Sequence, residues 1–398
     1  MTTAVPRVLT LNAGSSSLRF ALVEAREQPF VLMRGKIDRI GMPGTRCIVS
    51  ETGDGGSQTH SLSASSREAA TSWLFDWLAT QPAFTEVRVV AHRVVHGMAH
   101  SAPVRVTPGL LAELRQFMAY DPEHLPFEID LITAAQKRLP SIAQVACFDT
   151  AFHSDMPPVA RRLPLPRKYH ELGVQRYGFH GLSYAFLMEE LVRLDDPAAT
   201  RGRVILAHLG NGASLAAVLD GRSIDTTMGF TPASGMMMGT RSGDLDPGLG
   251  HYLATTQQMD TVRFQHMVNH DSGLLGVSGS SADMRDLLAL ESSDPRAAEA
   301  IAMFCYGARK WIGAFAAALG GLDTLVFAGG VGENAPPIRA RICSELGFLG
   351  IALDAAANAG SADLISSAGT GVRVRVIRTD EELMLARFAL HLCTQGKY

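Results

Sequence analysis

Lysine is scarce in this chain. Only Lys36, Lys137, Lys168, Lys310 and Lys397 occur, so 31 of the 36 cationic side chains are arginine. A Walker-type phosphate loop ends in Gly-Lys-Ser/Thr. The two Gly-Lys pairs here run into Ile37 and Tyr398, which excludes that loop. Any phosphate must then be held mainly by arginine and backbone amides. A basic excess is also missing. The 36 Lys+Arg face 39 Asp+Glu, a formal net charge of −3, which argues against a nucleic-acid or membrane-surface binder. No uninterrupted apolar run reaches the roughly 18 residues of a membrane span. Residues 1–7 have no apolar stretch, so no secretory leader is expected. The five cysteines (Cys47, Cys147, Cys305, Cys343, Cys393) are scattered without a CxxC pair, as suits a reducing cytoplasm. HExxH and GxSxG are absent, which removes the zincin signature and weakens an α/β-hydrolase reading.

What is present is a large apolar fraction. Over 398 residues, 46% are hydrophobic and 19% charged, enough to bury two or three domain cores and too apolar for general disorder. An internal repeat organises them. Arg7–Val23 reads as strand, Gly/Ser turn, strand, and Arg203–Val218 reads the same way, with Gly14 and Gly210 almost half the chain apart. This predicts a duplicated protein. Further strands are expected over Glu86–His92, Gln144–Phe148, Asp323–Ala328 and Val372–Ile377. Helices are expected over Ser66–Ala79, Leu110–Met118, Pro126–Arg138, Ser183–Arg193, Pro295–Leu319, Pro337–Leu346 and Glu381–Leu392. The Gly/Ser/Thr-rich stretch Thr52–Ser66 reads as a surface loop, and Arg161–Arg167 as an extended connector. The fold class is α/β with two sheets. The domains are expected at 1–150, joined by a C-terminal helix at about 381–398, and at 151–380.

Several short constellations carry chemistry. The turn Asn12-Ala-Gly-Ser-Ser-Ser17 offers backbone N–H groups, hydroxyls and an amide that suit an anion, or an ordinary hairpin turn. The second turn, His208-Leu-Gly-Asn-Gly212, repeats it with His208 in place of Asn12. Two such hairpins facing across a cleft describe the superfamily of actin, sugar kinases and heat-shock ATPases. Gly210-x-Gly212 is a poor dinucleotide fingerprint, because a strand follows it where a helix is needed. Arg93 and Arg241 stand beside small residues and present guanidinium forks that suit carboxylate or phosphoryl oxygens, or they are surface arginines on turns. Asp149 ends a strand, where it suits Mg²⁺ or a nucleophile, or caps a helix. His180, between Phe179 and Gly181, suits a phosphoryl contact or a structural role. His96 and His100 read as structural or solvated. Gly329-Gly-Val-Gly-Glu-Asn334 reads as a loop of close approach. Glu381 suits either a metal or a helix N-terminus.

Taken together, these segments resemble the acetokinase family, from Leu9 to about Arg387. The matching stretches include Asn12–Leu18, His92–Gly97, Phe148–His153, Tyr177–Gly181, His208–Gly212, Met228–Pro232, Met238–Arg241, Gly276–Gly279 and Gly329–Asn334. The resemblance implies two duplicated ribonuclease-H-like, actin-like ATPase domains with a cleft between them, the second binding nucleotide. It implies ATP + acetate ⇌ ADP + acetyl phosphate by direct in-line transfer, with ATP/ADP, Mg²⁺ and a small carboxylate, in a homodimer. It assigns phosphate binding to Asn12, Ser15, Ser17 and Arg19, and the carboxylate and phosphoryl clamp to Arg93 and Arg241. Asp149 would organise the reacting groups, and His180 would bond the transferring group. His208, Gly210, Asn211 and Gly212 would form the second phosphate loop. Asp283, Arg285, Gly330, Val331 and Asn334 would surround the nucleotide. Val95, Phe179 and Pro232, with Glu123 and His124, would line the acyl pocket. Asn12 and Glu381 would support Mg²⁺.

The chain departs from the family pattern at four places. Arg19 stands where the family usually has lysine. In Asp121-Pro-Glu-His-Leu-Pro126, Glu123 replaces an apolar pocket residue and Leu125 replaces an asparagine. A carboxylate facing an acyl methyl is costly unless paired or turned away, so propionate or another short acid stands beside acetate as acceptor. Tyr184 replaces a histidine and reads as peripheral. A sugar kinase and a chaperone-like ATPase of the same fold are the remaining alternatives. The arginine pair fits a carboxylate acceptor better than a sugar hydroxyl, and no client-binding segment follows the final helix.

Overall fold

The computed structural model describes residues 5–14, 16–53 and 56–394. The chain divides into two compact units, Met1–Ala151 with Asp380–Tyr398, and Phe152–Thr379.

The first unit is built on an eight-stranded sheet. Its strands are β1 (Arg7–Ala13), β2 (Leu18–Glu24), β3 (Phe30–Asp38), β4 (Arg46–Glu51), β5 (Ser57–Ser61), β6 (Val87–Val94), β7 (Val104–Arg105) and β8 (Ala143–Phe148), in the order β5-β4-β3-β2-β1-β6-β8-β7. β1 to β5 form an antiparallel meander, and β6 and β8 run parallel to β1. β1 is buried from Val8 to Ala13 with no alternation, as expected of a strand covered on both faces. Leu9, Leu11 and Ala13 pack in one core with Leu74, Phe75 and Leu78 of the helix Arg67–Ala79 and Phe127 and Leu131 of the helix Leu125–Arg138. The other face, with Asn12, meets the helix Glu381–Thr394.

The second unit carries β9 (Arg203–Leu209), β10 (Ala213–Leu219), β11 (Arg222–Thr226), β12 (Thr324–Ala328) and β13 (Arg373–Val376), in the order β11-β10-β9-β12-β13. β9 and β10, and β10 and β11, are antiparallel, whereas β12 runs parallel to both β9 and β13. This repeats the order and sense of β3-β2-β1-β6-β8, so the duplication read from the two Gly turns is present in strand topology. The helix Pro295–Leu319 packs on β9 and β10. Its ends follow sequence chemistry: the Asp294 side chain accepts from Arg296 N–H, Pro295 is the first helical residue, and Gly320 closes the helix at φ 71°.

Two expectations are corrected. Thr52–Ser66 is not all loop. Its residues Ser57–Ser61 form the exposed edge strand β5, whose backbone pairs with β4. An edge strand with solvent on its side chains needs no apolar alternation, so polarity concealed it. Gly329–Asn334 is a short helix starting at the end of β12, not a loop. Gly329 sits at φ +74°, where a Cβ would come within 2.8 Å of the Leu209 carbonyl oxygen, so this glycine serves the strand-to-helix corner.

Candidate functional site

In the first unit, β1, β6 and β8 are neighbouring parallel strands, so their C-terminal ends share one edge of the sheet, the usual place for ligands in such folds. Asn12, Arg93 and Asp149 stand at those ends. Arg93 donates from Nε and Nη2 to Asp149 Oδ2 at 3.1 and 2.6 Å. It donates from Nη1 to Asn12 Oδ1 at 3.3 Å and to the Ala13 carbonyl at 3.2 Å. Asn12 Nδ2 in turn donates to Glu381 Oε2 at 2.9 Å and Glu382 Oε1 at 3.4 Å. Four residues singled out in the sequence thus form one connected group. Asp149 is 1% exposed, and its Oδ1 is buried with no hydrogen-bond partner. Burial works against the Arg93 charge, but Asp149, Glu381 and Glu128 outweigh it and hold the guanidinium firmly cationic. Burial pushes the Asp149 carboxyl up, and Arg93 opposes that.

The rest of this neighbourhood is mixed. Arg19 is opposite Asn12 across β1 and β2 and is exposed. The Ser17 carbonyl accepts from Gly14 N–H at 2.8 Å, closing the turn. Ser15 lies outside the described residues. Val95 is buried and Glu123 half-buried. His124 Nδ1 is 2.9 Å from Asp121 Oδ1. Burial would raise the Asp121 carboxyl, but the bonds from His124 outweigh it and keep it below its ordinary value. Leu125, where the family pattern has asparagine, lies in the core. It is fully buried with Val94, Leu110, Ile129 and Phe148, so that departure is absorbed by core packing.

Glu128 was not anticipated. It is 1% exposed, and Oε2 accepts the Val95 N–H at 3.0 Å. Burial pushes its carboxyl up to about 8, with Asp121 and Asp149 adding to the rise and Arg93 opposing it. The available signal was its register. It stands three residues after Leu125 and four before Ile132, on the buried face of its helix.

In the second unit, β9 and β10 are joined by Gly210-Asn211-Gly212, closed by Gly210 N–H to the Gly212 carbonyl at 3.0 Å. His180 sits at φ 61° immediately before the helix Gly181–Arg193. Its Nδ1 is 2.8 Å from Ser214 Oγ, and its ring stacks on His208 with centroids 4.3 Å apart. His208 Nδ1 is 2.8 Å from Ser183 Oγ, which is 2.8 Å from Thr379 Oγ1. A Cβ placed on Gly212 would lie 3.4 Å from His180 Nε2 and 3.8 Å from Arg241 Nη1. The bare Gly212 backbone is therefore bordered by one imidazole nitrogen and one guanidinium nitrogen. Arg241 Nη1 donates to the Pro232 carbonyl at 3.2 Å, and Gly239 N–H to the Asn211 carbonyl at 2.9 Å. Phe179 is buried, and its carbonyl accepts from His153 Nε2 at 3.1 Å. Burial pushes His153 down to about 4, so it is neutral.

Gly330 and Val331 lie in the short helix after β12, and Gly330 N would be 3.8 Å from a Cβ on Gly210. Asn334 Nδ2 donates to the Gly330 carbonyl at 3.0 Å. Asp283 caps the helix Met284–Leu290 and pairs with Arg285 at 2.5 Å. Tyr184 is not peripheral. It is fully buried, with its hydroxyl 2.5 Å from Ser214 Oγ, the same oxygen that meets His180.

Among the described residues, no cluster of three or more His, Cys, Asp or Glu side chains suits a metal. Glu381 offers carboxylate oxygens beside Asn12, whose amide nitrogen faces Glu381 and whose oxygen faces Arg93. That set fits Mg²⁺, which takes oxygen ligands and commonly uses one or two carboxylates with phosphate oxygens.

Comparison with known proteins agrees with the resemblance. The sequence model of the acetokinase family matches residues 7–387. The chain is 45% identical to the acetate kinase of Rhodopseudomonas palustris strain TIE-1 over 396 residues, covering 98% of this chain and 99% of that protein. The fold is similar to the solved propionate kinase of Francisella tularensis, with TM-score 0.91, 34% identity and coverage of 97% and 99% of the two chains. It is also similar to Porphyromonas gingivalis acetate kinase, with TM-score 0.88, 36% identity and coverage of 98% and 100%. On this match across nearly its whole length, the chain belongs to the acetokinase family.

Proposed function

We propose that this protein transfers the γ-phosphoryl group of ATP reversibly to a short-chain carboxylate, acetate first and propionate next. The observation that carries this reading is the half-buried, permanently charged Arg93, fixed by Asp149 beside Asn12 and Glu381. A carboxylate is already an anionic nucleophile at neutral pH, so the reaction needs no strong general base. The obstacle is the approach of one anion to another. Fixed cations and donors meet it, since positioning and electrostatics dominate phosphoryl transfer.

The reaction forms one bond, from a carboxylate oxygen to the γ-phosphorus, and breaks the bond from that phosphorus to the ADP oxygen. No phosphoenzyme is needed. Arg93 and Arg241 supply guanidinium groups to the carboxylate and phosphoryl oxygens. Asp149 holds the Arg93 fork open, and His180 donates to the transferring group. The Asn12 and His208–Gly212 turns cradle phosphate. Asp283, Arg285, Gly330, Val331 and Asn334 surround the nucleotide, and Val95, Phe179 and Pro232 receive the acyl group. Asn12 and Glu381 would hold Mg²⁺, which would neutralise phosphate charge.

Propionate stays in view because Glu123 stands where the family pattern has an apolar pocket residue and one solved relative is named a propionate kinase. The test is incubation with ATP, Mg²⁺ and a panel of carboxylates, trapping acyl phosphate with hydroxylamine. Hydroxamate from acetate supports the reading, and its absence with every short acid rejects it. A homodimer in the cytoplasm belongs to the same proposal, supported by the family and by scattered free cysteines. Light scattering on the purified protein tests the dimer. No helix among the described residues is long and apolar enough to cross a membrane.

A further inference from the structure

We propose that Tyr184 and Ser214 are positioning residues that fix the tautomer of His180, keeping its proton on Nε2. Ser214 and His208 face each other across the β9–β10 hairpin. One face of this hairpin therefore presents both the serine that bonds His180 Nδ1 at 2.8 Å and the ring that His180 stacks on at 4.3 Å. The orientation of the imidazole is set twice over, by a hydrogen bond and by a stack.

The third member sets the direction of that hydrogen bond. Tyr184 is fully buried, and its hydroxyl is 2.5 Å from Ser214 Oγ. A phenol is a stronger acid than an aliphatic alcohol, so the short bond runs from Tyr184 O–H to Ser214 Oγ. A serine hydroxyl has one proton and two lone pairs. With one lone pair taken by the phenol, the Ser214 proton is directed at His180 Nδ1, which then accepts. A neutral imidazole that accepts at Nδ1 carries its proton at Nε2. Nε2 is the atom that borders the space left by Gly212, beside Arg241 Nη1. The chain Tyr184→Ser214→His180 therefore ends in an N–H donor at the Gly212 turn, 3.4 Å from where a Cβ on Gly212 would lie. The opposite tautomer would present a lone pair there and repel an anionic oxygen.

The kinetic consequence rests on the proposed phosphoryl transfer, whereas the tautomer itself does not. The experiment therefore reads both. Protein labelled with nitrogen-15 histidine is examined by NMR near neutral pH, with the His180 resonances assigned by their loss in His180→Asn. The expected wild-type spectrum shows a protonated Nε2 and an accepting Nδ1. Tyr184→Phe keeps the ring that packs near Phe152 and His153 at 5.7 and 5.6 Å but removes the donor. Ser214→Ala removes the relay. Both variants should shift His180 toward a mixture of tautomers. Both should lower kcat by about tenfold with little change in KM for ATP, as for a donor used in the transition state.

A wild-type His180 protonated at Nδ1 overturns the proposal. So does a Tyr184→Phe variant with unchanged imidazole resonances, whatever its turnover. If the wild type forms no acyl phosphate while the tautomer behaves as expected, the function is rejected and the positioning role stands.

Discussion

Arg93 grips Asp149 through two nitrogens on one oxygen. Nε and Nη2 both reach Oδ2, at 3.1 and 2.6 Å, and Asp149 Oδ1 is left buried without a partner. The pairing spends one carboxylate oxygen to aim the guanidinium and leaves Nη1 on Asn12 and the Ala13 carbonyl. Removing the fork should therefore cost turnover. Arg93→Ala and Arg241→Ala should each lower kcat by on the order of 10²-fold or more, the scale of losing preorganised charge. Steady-state kinetics with circular dichroism to verify folding checks this. Near-normal turnover in both variants contradicts the clamp.

Asp149→Asn keeps the shape of the pair and removes its charge. The amide still accepts from Arg93 but no longer offsets the half-buried cation. The variant should lose on the order of 10²-fold in kcat, with KM for ATP changing far less. A change confined to KM would make Asp149 a binding residue only.

Glu128 gives a pH signature in stability. Its carboxyl is pushed up to about 8 in the folded protein by burial, opposed by Arg93 and reinforced by Asp121 and Asp149. An unfolded glutamate titrates near 4.3. Between these values the folded state holds the extra proton, so this contribution to stability is full at acid pH and is lost as pH rises toward 8. Glu128→Gln keeps a carbonyl for the Val95 N–H and cannot ionise. It should be more stable than wild type at pH 8.5, by on the order of 4 to 5 kcal/mol, and close to wild type at pH 5. Parallel melting profiles across this range contradict the buried acid.

His92, His96 and His153 work in the opposite direction. Burial pushes each down to about 4, whereas an unfolded histidine titrates near 6.5. Their contribution is full above pH 6.5 and is lost as pH falls toward 4, because the unfolded chain then binds protons that the folded protein refuses. The urea midpoint of His153→Gln should fall less between pH 7.5 and 5 than that of wild type. An equal fall would show that His153 is not buried neutral.

The legibility of this molecule followed the kind of physics involved. The duplicated halves were readable because Gly14 and Gly210 both close hairpins, and the apolar runs around them are strands buried on both faces. Asn12, Arg93, Asp149 and Glu381 were readable because strand ends and a helix start gather side chains at one edge of a sheet. β5 was not readable, since its pairing is a backbone property and all its side chains but that of His60 are exposed. Glu128 looked like an ordinary helix acid until its face was known. Tyr184 read as peripheral and Ser214 was not singled out, for a different reason. Their roles arise from a contact thirty residues apart in sequence, between a helix and a hairpin.

The central claim is that a carboxylate oxygen of the acceptor forms the new bond to the transferred phosphorus. Acetate labelled with heavy oxygen in both carboxyl positions, incubated with the protein, ATP and Mg²⁺, tests it by phosphorus NMR of the product. The account predicts acetyl phosphate whose phosphorus resonance carries the isotope shift of one labelled bridging oxygen. Inorganic phosphate as the only product, or an acetyl phosphate signal without that shift, would contradict it.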